Sequence, residues 1–145
     1  MERARPLILV ADDDEDILEL VRLRLSRSGY DLLCAANGDE ALRLACSRLP
    51  DIAVLDVAMP GLDGCEVVAR LRAEAATSAI PTILLTARAR PADVETGLAS
   101  GADDYVSKPF SPELLQARVA ALLKTAAERQ TQPLRLAALH GEACA

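Results

Sequence analysis

The residues best equipped for chemistry in this chain stand directly after short apolar runs. Asp12, Asp13, Asp14, Glu15 and Asp16 follow Leu7 to Ala11, Asp56 follows Ile52 to Leu55, Thr86 follows Thr82 to Leu85, and Lys108 comes two residues after Tyr105-Val106. Taken singly, each has an ordinary explanation. A run of acids starts and solvates a helix, an aspartate at a strand end makes a turn, a threonine caps, and a lysine lies on the surface. Together they say more, because four separate segments end in acid, acid, hydroxyl and ammonium. Carboxylates gathered at one edge repel one another unless a cation sits among them. Magnesium fits best, being content with one or two carboxylates and several waters, and manganese can substitute for it. With the charge so balanced, Asp56 can act as a nucleophile toward a phosphoryl group while Thr86 and Lys108 hold the phosphoryl oxygens.

Such residues need a scaffold that brings strand ends together. Apolar runs rich in β-branched residues alternate here with stretches of helical period, which predicts βαβ units around a parallel sheet. The strand candidates are Leu7 to Ala11, Asp31 to Ala35, Ile52 to Leu55, Thr82 to Leu85 and Tyr105-Val106. Their unbroken hydrophobicity implies helices on both faces. A first helix is expected from about Glu15 to Ser28, with Ile17, Leu18, Val21 and Leu25 inward, Arg22, Arg24 and Arg27 outward, and Gly29 ending it. A second starts at Asn37, with Glu40 completing something close to a capping box, and runs to about Arg48. A third spans about Gly64 to Ala75, buries Val67, Val68 and Leu71, and pairs Glu66 with Arg70. The fourth, about Pro91 to Ser100, is short and carries Gly97, so it is expected to be the softest. The fifth opens with Ser111 as N-cap and Pro112, lines its inner face with Leu115, Val119 and Leu122, and fades near Arg129. In such a doubly wound sheet, chemistry belongs just past the carboxyl ends of the strands, where the winding reverses.

Composition narrows the choices. In a chain of 145 residues the net charge of -6 argues against general affinity for nucleic acid, and two tyrosines and one phenylalanine are too few for a base-stacking platform. No apolar run approaches the length needed to cross a bilayer, and the opening offers no room for a secretory leader, so a cytoplasmic location without membrane attachment is expected. Cys34, Cys46, Cys65 and Cys144 lack CxxC spacing and the one histidine is His140, so zinc and dithiol chemistry are not indicated and the thiols read as reduced, structural groups. Neither GxxxxGK[ST] nor GxGxxG occurs, leaving no nucleotide-binding loop.

Four blocks carry a resemblance: Leu9-Val10-Ala11-Asp12-Asp13-Asp14, Leu55-Asp56 through Asp63-Gly64, Leu85-Thr86-Ala87, and Gly101-Ala102-Asp103-Asp104-Tyr105-Val106-Ser107-Lys108-Pro109-Phe110. In order and interval they resemble the receiver domain of two-component response regulators, over about residues 7 to 127. The resemblance implies a flavodoxin-like (βα)5 fold with strand order 2-1-3-4-5. It implies that Asp56 accepts phosphate from a phosphohistidine on a histidine kinase or histidine phosphotransfer protein. It makes Asp13 the direct magnesium ligand, with Asp12 acting largely through water and with Asp56 and the Ala58 carbonyl completing the protein ligands. Small Ala87 would leave room for the phosphoryl group, Thr86 and Tyr105 would form the switch, and the Lys108-Pro109 peptide would be cis. The chain would then be a signalling domain, with self-phosphotransfer and loss of its own phosphate as its only catalysis. Ala11, Ala58 and Arg88 are small departures beside the site.

Two other classes fit less well. A flavin carrier shares the strand order, but its phosphate would meet the acidic run Asp12 to Asp16. An aspartate-nucleophile phosphatase of the haloacid dehalogenase type also joins Asp to magnesium, yet Asp12-Asp13-Asp14-Glu15-Asp16 lacks the threonine of its Asp-x-Asp-x-Thr pattern. The expected organisation is a receiver at 1–128 and a tail or start of a linker at 129–145, without an output domain or direct nucleic-acid binding. Near Asp103-Asp104-Tyr105 the chain resembles regulators with a winged-helix DNA-binding domain, whose receivers pair through the fourth helix, fifth strand and fifth helix. Asp104 and Arg118 match one ion pair of that interface, while Val94 and Leu114 put an apolar contact where another would be. A partner face including these four residues, with phosphorylation-enhanced homodimerisation, is the resulting expectation.

Overall fold

The computed structural model describes residues 4–87, 95 and 99–131. The candidate helix at 91–100, with Val94 and Gly97, lies outside the described residues apart from isolated positions, as do Arg88, His140, Cys144 and the rest of the tail. Five strands, β1 (Leu7–Ala11), β2 (Asp31–Ala35), β3 (Ile52–Asp56), β4 (Thr82–Thr86) and β5 (Asp104–Ser107), form one sheet in the order β2-β1-β3-β4-β5. Every pairing is parallel, as the alternating pattern predicts.

Side chains that alternate along each strand feed two separate cores. Leu9 and Ala11 of β1 with Ala53 and Leu55 of β3 pack under helices α2 (Gly38–Arg48) and α3 (Gly64–Ala73), against Ala41, Ala45, Val67, Val68 and Leu71. Ile8, Val10, Ile52 and Val54 face the other way, against Val21 and Leu25 of α1 (Glu15–Arg27) and Leu115 and Val119 of the last helix (Pro112–Thr131). Covering both faces makes β1, β3 and β4 buried at every position. The edge strand β2 does not follow that rule, since Asp31 and Cys34 are exposed.

Local chemistry sets the helix ends. Asp14 caps α1, its carboxylate accepting from the backbone N–H of Asp16 at 2.9 Å and of Ile17 at 3.4 Å. Asn37 caps α2 as expected, but the Glu40 carboxylate accepts from Ala36 N–H at 3.2 Å rather than from the cap residue. The full capping box lies at α3, where Asp63 accepts from Glu66 N–H at 2.8 Å and Glu66 from Asp63 N–H at 3.0 Å. Glu66 is therefore engaged at the cap, not with Arg70 as its spacing suggested, and α3 stops at Ala73. Ser111 caps the last helix by accepting from Leu114 N–H at 3.0 Å. That helix continues to Thr131, so the expected unit boundary near 128 falls within its final turn. Arg24, expected outward, donates to Gln116 at 2.7 Å and ties α1 to the last helix.

One packing contact connects the fold to the chemistry. Gly64 opens α3 against the strand end, and a Cβ there would come within 2.4 Å of the Asp56 carbonyl oxygen. Gly64→Ala is therefore expected to cost about 1–3 kcal/mol by overpacking, read by urea unfolding. Gly64→Ala unfolding at the wild-type urea midpoint would show that α3 can retreat from β3 at no cost.

Candidate functional site

Sheet winding reverses between β1 and β3, so their carboxyl ends lie side by side and carry Asp12 and Asp56. Asp12 is wholly buried and Asp56 is 4% exposed. Asp12 is fixed by its own backbone, donating N–H to Ala35 at 3.1 Å, while its Oδ1 accepts from Asp14 N–H at 2.9 Å. Asp56 Oδ1 accepts from Ala58 N–H at 3.2 Å. Exposed Asp13 completes a trio of carboxylates whose oxygens lie within 4.8 Å of one another.

The compensating charge comes from Lys108, just beyond β5. Its Nζ lies 2.8 Å from Asp12 Oδ2 and 3.2 Å from Asp56 Oδ2. Its backbone N–H donates to the Thr86 carbonyl at 2.7 Å, which fixes the lysine to the end of β4. The peptide from Lys108 to Pro109 is cis, as the resemblance implied. Asp12 Oδ2 meets the ammonium off the hydrogen-bond line and has no hydrogen bond, leaving a buried anionic oxygen incompletely satisfied. An all-oxygen donor set with such an atom suits a hard divalent cation.

Burial, and next the charge of Asp12, push the Asp56 pKa up to about 6, against the opposing pull of Lys108 and the Ala58 N–H. Burial draws Lys108 downward, but Asp12 and Asp56 outweigh it and leave the ammonium above its ordinary value.

The other expected residues fall into place unevenly. Thr86 ends β4, buried, beside β3, and Ala87 follows it exposed. Tyr105 lies half-buried on β5, packed against the α2–α3 core. Asp104 and Arg118 do pair, but within one chain, Arg118 Nη1 lying 2.6 Å and 2.8 Å from the two carboxylate oxygens. Leu114 is 42% exposed, and Val94 lies outside the described residues. Of the thiols, Cys34 and Cys46 are free and exposed rather than buried, and Cys65 is free and half-buried. Sequence reading missed Arg72, whose guanidinium meets five acceptors around the amino ends of β4 and β5. No local pattern announces it, because its partners are brought together only by the fold.

A model of the response regulator receiver domain matches residues 8–120. The chain belongs to that family. The receiver is 48% identical over 117 residues to the alkaline phosphatase synthesis transcriptional regulatory protein PhoP of Bacillus subtilis, covering 81% of this chain and 48% of that protein. It is 42% identical over 137 residues to the DNA-binding dual master transcriptional regulator RpaA of Synechocystis, covering 94% and 55% respectively. The chain thus spans about half the length of the curated relatives it matches. Among solved structures, a response regulator of Chloroflexus aurantiacus superposes with a TM-score of 0.79 at 37% identity, covering 83% of this chain and 98% of that one. The receiver domain of a Francisella response regulator gives 0.78 at 38%, with the same coverage. Receivers are signalling domains rather than turnover enzymes, and the haloacid dehalogenase reading is not favoured. No helix among the described residues is long and apolar enough to cross a membrane.

The raised Asp56 pKa fixes the sign of a pH dependence. Unfolded, the carboxyl ionises near 3.8; folded, near 6. Its contribution favours the fold below pH 4 and is lost as pH rises through 6. In metal-free buffer Asp56→Asn is therefore expected to be more stable than wild type at pH 7 by about 1–2 kcal/mol, after allowance for solvent screening. The gain should vanish near pH 4, with thermal unfolding at both pH values as the check.

Proposed function

We propose that this receiver is a phosphoacceptor in which Asp56 takes a phosphoryl group from a phosphohistidine on a histidine kinase or histidine phosphotransfer protein. The observation that carries this reading is the single ammonium of Lys108 spanning Asp12 at 2.8 Å and Asp56 at 3.2 Å. An Asp56 carboxylate oxygen attacks phosphorus as the P–N bond to the donor imidazole breaks, and the departing electron pair stays on that imidazole, which is protonated in turn. The product is an acyl phosphate on Asp56. Lys108 then turns from carboxylate to phosphoryl oxygen, so the positive charge already held at the site meets the new negative charge without a large rearrangement. The Thr86 hydroxyl holds a second phosphoryl oxygen, and Ala87 keeps the approach open by being small. Magnesium, or manganese in its place, would be held by Asp13, Asp56 and the Ala58 carbonyl, with Asp12 acting through water, and supplies neutralisation of the phosphoryl oxygens.

The charge gained, about -1.5 to -2, is the signal. We read Thr86 as moving toward it and the Tyr105 ring as turning inward, which alters the face that includes Val94, Asp104, Leu114 and Arg118. Relatives named as transcriptional regulators support a use in transcription control, with this receiver reporting to a DNA-binding part rather than touching DNA itself. Its net charge of -6 supports that division of labour. Residues 1–128 are taken as the receiver and 129–145 as a tail or the start of a linker.

Incubation with acetyl phosphate and magnesium should add one phosphoryl group, seen by intact-protein mass, and chelator or Asp56→Asn should abolish it. Lys108→Ala should fold but label about 100-fold more slowly. Labelling that survives in Asp56→Asn would overturn the assignment. Light scattering with beryllofluoride should show the mass doubling on activation; a monomer in both states removes the homodimer.

A further inference from the structure

Arg72, near the end of α3, gathers three segments around one guanidinium. Its Nη1 donates to the carbonyls of Ser78 at 3.1 Å and Ile80 at 2.7 Å, its Nε to the Gly101 carbonyl at 3.0 Å, and its Nη2 to Thr82 Oγ1 and Asp103 Oδ2, both at 3.1 Å. The same Asp103 oxygen accepts from Thr82 N–H at 2.9 Å, and Asp103 N–H donates to the Thr82 carbonyl at 3.0 Å. The first residue of β4 and the residue before β5 are thus joined to each other and to α3. Gly101 lets the arginine through: its φ is +110°, and a Cβ there would come within 2.9 Å of Arg72 Cγ. A groove of about 300 Å³ lies between this cluster and Leu122, Thr125 and Ala126 of the last helix, so that helix does not clamp it from that side.

The opposite ends of these two strands carry Thr86 and lead into Lys108. β5 is an edge strand of four residues, paired with β4 from Ile83↔Asp104 to Thr86↔Ser107. Val106 is its one buried side chain, so this short ladder shares the work of fixing register with the bonds at its ends. A slip of one residue would carry Lys108 about 3.3 Å along the strand and turn each β5 side chain to the other face. Ion pairs of 2.8 Å and 3.2 Å would not survive that shift.

We propose that Arg72 is a positioning residue for phosphoryl transfer: by locking the amino ends of β4 and β5 in register, it places Thr86 and Lys108 against Asp56. This rests on the phosphoacceptor reading. It predicts a split between two properties of one site, because the expected metal ligands come from β1, β3 and the residues following them. Arg72→Ala and Arg72→Lys should bind manganese at least as tightly as wild type, measured by calorimetry, because a displaced Lys108 takes positive charge away from the carboxylates of the cluster. Their labelling rate at saturating acetyl phosphate should fall about 10- to 100-fold. Lysine is not expected to rescue, since one ammonium cannot reproduce the planar fork that reaches five acceptors. Amide hydrogen exchange at Lys108 and Val106 should accelerate, and Gly101→Ala should reproduce both effects.

Val21→Ala, which loosens the α1 core without touching the cluster, serves as the control and should label at the wild-type rate per folded molecule. Arg72 variants that label like wild type, or whose manganese affinity and labelling fall together, overturn the positioning role. Absence of labelling in wild type overturns the phosphoacceptor reading itself, and unchanged hydrogen exchange in the Arg72 variants then overturns the register lock as well.

Discussion

Two carboxylates held at neighbouring strand ends, with one ammonium between them, set the terms for the rest of this molecule. Asp12 and Asp56 are buried where like charges oppose each other, and burial raises the cost of ionising them. The fold holds them there by backbone bonds that no side-chain repulsion can easily break. Asp12 N–H goes to Ala35, Val57 N–H to Leu85 at 2.8 Å, and Gly64 N–H to Val57 at 3.0 Å. Each of these bonds lies at the carboxyl edge of the sheet, so the parallel topology itself imposes the proximity. Lys108 arrives from β5, two strands from β3, and relieves part of the repulsion. The buried Asp12 oxygen without a hydrogen bond shows where relief is incomplete. An oxygen so placed is stabilised further by added positive charge.

Much of this was readable in sequence because parallel strands covered on both faces give unbroken apolar runs. The acids, the threonine and the lysine could then be placed at strand ends by counting. Division of labour within the acidic run was not readable in the same way. Asp12 and Asp13 turn to the site whereas Asp14 caps α1, a split that depends on where β1 stops and the helix begins. Glu66 shows the same difficulty, since a spacing suited to Arg70 loses to a nearer backbone donor at the cap. Cys34 is exposed because β2 is an edge strand, and edge position is a property of sheet order rather than of any local pattern. Arg72 is the extreme case, with partners up to 31 positions away in the chain.

The intrachain pair of Asp104 and Arg118 changes how the partner face must be understood. Charges that match an interface motif are already satisfied at 2.6 Å and 2.8 Å across β5 and the last helix. A second copy using the same groups gains only the difference between two similar pairs, and partly exposed pairs contribute little. In the proposed homodimer, attraction at this face would therefore rest on apolar burial, including exposed Leu114, with the charges setting orientation.

These features share one mechanical consequence of a parallel sheet. Each strand is a stiff connector whose two ends cannot be set independently, because one register fixes both. The carboxyl end of β5 leads into Lys108, which pairs with the buried carboxylates, while the amino ends of β4 and β5 meet in a cluster of neutral acceptors, one carboxylate and a guanidinium. Displacing β5 would carry Lys108 away from Asp12 and Asp56 and leave their mutual repulsion uncompensated. A charge-assisted cluster at the second end opposes that displacement, since moving β5 breaks bonds to Arg72 and to Thr82 together. On the proposed role of Arg72, the placement of Lys108 beside Asp12 and Asp56 is thus held from the amino end of the sheet as well as from its own.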